Sequence, residues 1–326
     1  MENQPKPLFI FSLPRSGSTL CQRLLAAHKD VATLSESHLL LPYFYTLKER
    51  GVYSEYYHEF TAGGIQNFCQ ELPNGVDDYL AEIHDMVLRL YAKAAGEQVV
   101  YFVDKAGAYH LIVEDIIRLF AEGKFIFLWR NPLAVASSLM ETWRGGKWNI
   151  YEHEIRLFQG VTQLVAAYEK FKDRVLALRY EDLVKDPDQT LKSIFAYLDL
   201  PFDPGVKTTF SQVQLKGRTG DYVGAGQYKK LSQDPLHKWI HIMANPLRKA
   251  WCQRYLKYIG RERLAIMGYD LDVLKAKVRT MPLTLNYLPS DILRMPYGAA
   301  FRLLEGRILK HKLQAMRAGK RVYVHR

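Results

Sequence analysis

Leu8-Phe9-Ile10-Phe11-Ser12-Leu13-Pro14-Arg15-Ser16-Gly17-Ser18-Thr19-Leu20 runs from an apolar stretch through a small-residue turn into a helical pattern. The apolar stretch reads as a buried strand that breaks at Pro14. Beyond it, Leu20, Leu24 and Leu25 share one helix face. A tight strand-to-helix turn aims several backbone N–H groups and the positive end of the helix dipole at one spot, which makes an anion site. Gly17 lets the backbone approach a ligand closely, and Arg15 adds a charged, forked donor. Ser16, Ser18 and Thr19 add hydroxyls. The turn suits a phosphate or a phosphate-like group.

The match to the nucleoside-triphosphate loop is weak. That motif reads G-x-x-x-x-G-K-[ST], and here no lysine follows Gly17 and the earlier glycine is missing. Nor does a G-x-G-x-x-G follow the first strand, so a dinucleotide-binding reading fails. Further strands are predicted at Val31–Leu34, Val99–Val103, Phe125–Trp129 and Val175–Leu178. Helical patterns lie at Ser18–His28, Asp78–Ala95, Tyr109–Ala121, Leu133–Trp143, Tyr151–Phe171 and Pro187–Leu198. Apolar strands alternating with helices predict a parallel α/β sheet covered on both faces, with ligands at the carboxyl ends of the strands.

A second junction of the same kind follows Phe125-Ile126-Phe127-Leu128-Trp129. There Arg130-Asn131-Pro132 opens a helix bearing Ser138. Taken in order, Pro14–Leu20 and Arg130 with Ser138 resemble the 5′-phosphosulfate loop and the 3′-phosphate site of sulfotransferases that use 3′-phosphoadenosine 5′-phosphosulfate. The resemblance runs from about Leu8 to Asp221. It implies a P-loop-like three-layer fold with a central parallel sheet and a helical cap. It implies that Arg15, Ser16, Gly17, Ser18 and Thr19 hold the phosphosulfate, and that Arg130 and Ser138 hold the 3′-phosphate. The co-substrate would leave as adenosine 3′,5′-bisphosphate, and the chemistry needs no metal.

Other matches follow from the same resemblance. Ala27-His28-Lys29-Asp30-Val31 is similar to the family's AHPxV lead-in, with Lys29 in place of proline. Glu36, just past the second strand, resembles the catalytic base of tyrosylprotein and several carbohydrate sulfotransferases, and His38 is the backup base. Lys105 resembles the family's catalytic lysine, although Lys105-Ala106-Gly107 matches K[DT]P only in part. It would serve the leaving oxygen while Arg15 holds the sulfuryl group. Leu215-Lys216-Gly217-Arg218-Thr219-Gly220-Asp221 is similar to the RKGxxGD loop, so Lys216 and Gly217 are further candidates for the nucleotide. Arg179-Tyr180-Glu181-Asp182-Leu183 resembles the RYEDL hallmark and reads as structural.

Composition sets the outer limits. With 326 residues, 48% of them hydrophobic, the chain can bury a large core. Cys21, Cys69 and Cys252 form no metal spacing, and their odd number argues against a disulfide framework. No leader or anchor is visible before the first strand, so the expectation is a cytoplasmic protein, with a peripheral membrane position open to it. Residues 1–274 are expected to form the catalytic domain, with an aromatic-rich cap at about 42–78, and residues 275–326 a basic helical extension. That extension holds twelve Lys and Arg against Asp291 and Glu305 within a net charge of +11. Ala299–Arg317 reads as an amphipathic helix whose apolar face (Phe301, Leu304, Ile308, Leu309, Leu313, Met316) is expected to pack on the core. An anionic membrane or acidic polymer is the alternative partner for it.

The acceptor is expected to be a hydroxyl, preferably of a carbohydrate or glycolipid, because aromatic rings in the cap would stack on sugar faces. Tyrosyl-peptide and small-molecule acceptors stay open, and no specific nucleic acid is implied. A P-loop kinase or NTPase, and a non-catalytic anion- or membrane-binding protein, are the readings of another class.

Overall fold

Five parallel strands form one sheet in the order β2-β3-β1-β4-β5. They are β1 (Lys6–Phe11), β2 (Val31–Thr33), β3 (Tyr101–Asp104), β4 (Lys124–Trp129) and β5 (Val175–Arg179). This computed structural model describes residues 4–319 except 53, 55, 97–98, 218–229 and 305, so Arg218, Gly220 and Asp221 lie outside the described residues. Each predicted strand is present, with both ends within two residues of those expected.

The strands read as unbroken apolar runs because both faces are covered. Along β1, Phe9 and Phe11 enter one core cluster while Leu8 and Ile10 enter the other. Along β4, Phe125, Phe127 and Trp129 alternate in the same way with Ile126 and Leu128. The three layers are therefore helix, sheet, helix. Phe11 pairs with Phe127, and Trp129 with Arg179, so the strands end nearly level. From β1 the chain crosses to β2 on one side, and from β4 to β5 on the other. A crevice opens at such a switch point between neighbouring carboxyl ends, here those of β1 and β4.

Several expected helices differ in detail. Tyr109–Ala121 divides into a 3₁₀ turn, Tyr109–Leu111, and a helix, Val113–Leu119, parted at Ile112 with φ −136°. Tyr151–Phe171 likewise resolves into a π turn, Ile155–Gln159, leading to the helix Gly160–Phe171. Gly160 sits where a Cβ would crowd Leu13 and His110. The aromatic-rich stretch holds two helices, Leu40–Tyr45 and His58–Gln70, ahead of the long helix Val76–Ala95. Phe44 is buried, whereas Tyr56, Tyr57 and Phe60 are exposed. All three cysteines are buried and unpaired.

The largest departures lie toward the C-terminus. The division expected after residue 274 falls inside the helix Leu271–Thr280, whose Leu271, Leu274 and Val278 belong to the main core. Helical structure resumes at Leu288–Leu304, eleven residues before the expected start, and continues at Gly306–Arg317. The early start has a cause. Asp291 is fully buried and accepts from Arg248 Nε at 2.6 Å and Nη2 at 2.8 Å, with Asn245 Nδ2 at 2.7 Å. A fork-to-fork pair out of water fixes the helix against the core, since removing one partner of such a pair typically costs ~3–5 kcal/mol. Further along the constraint ends. Phe301 packs on the Tyr151 ring as expected, but Leu309, Leu313 and Met316 are 55%, 47% and 72% exposed, so that part of the expected apolar face meets solvent.

Candidate active site

The turn after β1 brings its charged and small residues together under backbone strain. Arg15 has φ 70° and Gly17 φ 89°. A left-handed conformation costs a non-glycine residue on the order of 1–3 kcal/mol and persists only where neighbours hold it. Arg130 Nη1 does so by donating to the Arg15 carbonyl at 2.7 Å. Gly17 has no alternative, because a Cβ there would overlap the Tyr180 ring. Helix Ser18–Ala26 begins directly after Gly17 with no side chain capping its first turn. Its leading N–H groups thus point into the turn, where Ser16, Ser18 and Thr19 are all buried.

The two anion motifs, far apart in sequence, meet. Arg15 Nε donates to Ser138 Oγ at 3.3 Å. The Arg130 guanidinium lies 4.4 Å from the Tyr180 ring centroid and donates to the Pro235 carbonyl at 3.1 Å. A cavity of about 230 Å³ opens here, lined among others by Arg15, Arg130, Ser138, Tyr180, Lys238 and Trp239. Asn131 caps the helix Pro132–Arg144 through Leu133 N, and its own N–H donates to Glu181 Oε1 at 3.0 Å. Tyr269 in turn donates to Glu181 Oε2 at 2.6 Å. Tyr180 and Glu181, read from the sequence as structural, therefore shape the crevice directly. Lys238 was not foreseen: it returns to the site from beyond residues 218–229, and no local motif marks it.

Across the sheet, Glu36 and Lys105 stand at the ends of β2 and β3. Lys105 Nζ is 2.7 Å from Glu36 Oε1 and 3.3 Å from Thr19 Oγ1, so the pair adjoins the first turn of helix Ser18–Ala26. Gly107 N donates to Glu36 Oε2 at 3.2 Å, and His38 Nε2 lies 3.4 Å from the same oxygen. Burial alone would raise the Glu36 pKa. The bond from His38, the charge and bond of Lys105 and the Gly107 amide outweigh it, bringing the carboxyl from its ordinary 4.5 to about 2. His38 itself is held at φ 52°, a second strained residue beside the site.

Beneath this pair lies a buried network. Asp104 accepts from Tyr91 at 2.6 Å, Tyr109 at 2.7 Å and Ser37 at 2.9 Å. Burial raises its pKa, partly offset by those three hydroxyls. The network ties the residues flanking Glu36 to the strand end carrying Lys105. Gln22, fully buried, adds a second tie by donating to Thr33 Oγ1 and the Leu34 carbonyl, both at 2.7 Å.

Lys216 and Gly217, the described part of the loop proposed for the nucleotide, lie beside Ser35. The Lys216 carbonyl accepts from Ser35 N at 3.0 Å, and a Cβ on Gly217 would overlap the Ser35 hydroxyl. They flank the Glu36 turn and do not line the cavity holding Arg130 and Ser138. A larger cavity, about 670 Å³, is lined by Phe44, Leu80, His84, Leu119 and others, and shares no residue with either cluster.

Comparison with known proteins fits this geometry. Residues 7–204 match a family profile described as "Sulfotransferase family". The chain is 28% identical over 301 residues to nodulation protein NoeE of Sinorhizobium fredii, covering 84% of this chain and 68% of that protein. It is 26% identical over 220 residues to a protein-tyrosine sulfotransferase of Drosophila melanogaster, covering 63% of this chain but only 40% of that protein. Among solved structures, the sulfotransferase domain from the curacin biosynthetic pathway superposes with a TM-score of 0.50 at 26% identity, over 73% of this chain and 91% of that one.

Proposed function

The chain belongs to the sulfotransferase family, and on that premise we propose that it moves a sulfuryl group from 3′-phosphoadenosine 5′-phosphosulfate to a hydroxyl of a carbohydrate or glycolipid. The observation that carries the proposal is the placement of Lys105 Nζ between Glu36 and Thr19, where acid–base groups adjoin the anion turn. Arg15, the first-turn N–H groups and the hydroxyls of Ser16, Ser18 and Thr19 hold the phosphosulfate. Arg130 and Ser138 hold the 3′-phosphate in the crevice between β1 and β4.

The reaction follows the logic of in-line phosphoryl transfer. A bond forms from the acceptor oxygen to sulfur, and the bond from sulfur to the bridging oxygen breaks. The acceptor proton passes to Glu36, and adenosine 3′,5′-bisphosphate leaves. Lys105 donates to the bridging oxygen as negative charge builds there, the kind of contact that acts mainly in the transition state. At rest Lys105 is engaged by Glu36. Drawing it toward the leaving oxygen removes one of the bonds that keep Glu36 near 2, so donor binding strengthens the base that the acceptor needs.

The carbohydrate reading rests on Tyr56, Tyr57 and Phe60, exposed rings in the segment between β2 and β3. A tyrosyl-peptide acceptor is the second reading, favoured by the likeness to proteins named protein-tyrosine sulfotransferase. A transfer assay with labelled sulfate against oligosaccharides, glycolipids, tyrosine-containing acidic peptides and simple phenols separates them. Label in the sugar acceptors alone is expected. Label confined to the peptides would replace the first reading with the second, and transfer to none would remove both.

A further inference from the structure

The end of the described chain departs from the economy of the rest. Among the described residues nineteen large apolar side chains are exposed, and eight of them fall between Leu283 and Met316: Leu283, Leu285, Ile292, Leu293, Tyr297, Leu309, Leu313 and Met316. A tenth of the chain thus holds nearly half of the exposed apolar groups among the described residues. In helix Gly306–Arg317 the pattern is ordered. Leu309, Leu313 and Met316 recur at i, i+4 and i+7 and form one stripe. Lys312 lies on one side of that stripe, Lys310 and Arg317 on the other, all three exposed. The helix has four Lys and Arg and no acidic residue.

From this we infer that helix Gly306–Arg317 docks on the surface of an anionic phospholipid bilayer. The apolar stripe enters the boundary between headgroups and acyl chains, and the flanking cations reach back to the lipid phosphates along their own methylenes. Charge complementarity selects this occupant. A second copy would set one cationic helix against another, whereas an anionic bilayer answers every charge on both flanks of the stripe. No helix among the described residues is long and apolar enough to cross a membrane, so the attachment is to one surface. The buried Arg248–Asp291 pair anchors the preceding helix to the core and so couples the catalytic sheet to that surface. The inference does not depend on which acceptor is used, and its readout is separate from transfer.

Sedimentation of the full chain with phosphatidylcholine vesicles containing phosphatidylserine, against phosphatidylcholine alone, tests it. Binding should be at least about tenfold stronger to the anionic vesicles and should weaken steeply as salt rises. The triple variant Leu309→Gln, Leu313→Gln, Met316→Gln and the double variant Lys310→Glu, Lys312→Glu should each lose most of that binding while keeping the circular dichroism and unfolding temperature of the parent. Equal binding to both vesicles, no binding, or undiminished binding by either variant overturns the inference. So does a concentration-dependent dimer that the triple variant abolishes, because the stripe would then be covered by a second copy.

Discussion

The two charged clusters at the carboxyl edge of the sheet differ in where their positive charge is answered. At the ends of β2 and β3, Lys105 is met inside the protein by Glu36 at 2.7 Å. In the crevice between β1 and β4, the Arg130 guanidinium is met by two backbone carbonyls and the Tyr180 ring, and among the described residues no carboxylate lies within ion-pair distance. Both sites are largely buried, so the contrast is one of chemistry rather than exposure. A closed pair stores an acid and a base that must be separated to act. A cation held by neutral groups keeps its charge for an incoming anion. On the proposed function, the first cluster serves turnover and the second affinity.

That division breaks down if substitutions in the first cluster weaken nucleotide binding, or those in the second chiefly slow chemistry. Glu36→Gln should lower kcat by ~10²–10⁴, the usual contribution of a positioned base, with affinity for adenosine 3′,5′-bisphosphate kept. Steady-state kinetics beside calorimetry checks this, and unchanged kcat would remove Glu36 from the chemistry. Lys105→Met should cost ~10²–10³ in kcat, the range for one lost donor to a developing anion. A loss seen only in KM would make it a binding residue instead. Arg130→Gln should weaken the bisphosphate by roughly 10–100-fold, as expected for lost hydrogen bonds to a charged group, with a smaller change in kcat at saturating donor. Equal affinity for parent and variant would move the 3′-phosphate elsewhere.

The smallest effect is on pH dependence, and it sharpens the assignment of the base. Because the folded Glu36 pKa is lowered from 4.5 to about 2, its ionised form contributes stability that is complete above 4.5 and is lost as pH falls toward 2. Chemical denaturation across that window should show a shallower slope for Glu36→Gln than for the parent. The same low value predicts that kcat/KM shows no acid limb near neutrality. A limb near pH 6–7 that disappears in His38→Ala would make His38 the base.

Much of this was legible in the chain, for definable reasons. Strands β1 and β4 declare themselves because burial on both faces makes every position apolar, as Leu8 to Phe11 and Phe125 to Trp129 are. Arg15, Lys105 and Arg130 are legible because each follows a buried strand, and Glu36 because it follows the short edge strand β2, all at the edge where a parallel sheet presents its ligands. Their convergence was not. Arg130 supports the Arg15 carbonyl across 115 positions of sequence, and only the strand order brings the two turns side by side. Tyr180 reads from the sequence as structural, but nothing local shows that its ring forbids a side chain at position 17. The periodicity of the C-terminal helix gave its apolar face correctly but carried no information about what covers it. Burial there depends on the rest of the surface, and Leu313 remains open to solvent while Asp291, a charged residue, does not.

The account stands or falls on the ligand that bridges both anion sites. Isothermal calorimetry of the full chain with adenosine 3′,5′-bisphosphate, and separately with ATP and magnesium, tests this directly. Tight binding of the bisphosphate, weakened in Arg130→Gln, together with little or no heat from ATP–magnesium, is the predicted result. Binding of ATP–magnesium without the bisphosphate would contradict it, and the turn from Pro14 to Thr19 would then serve a different phosphate.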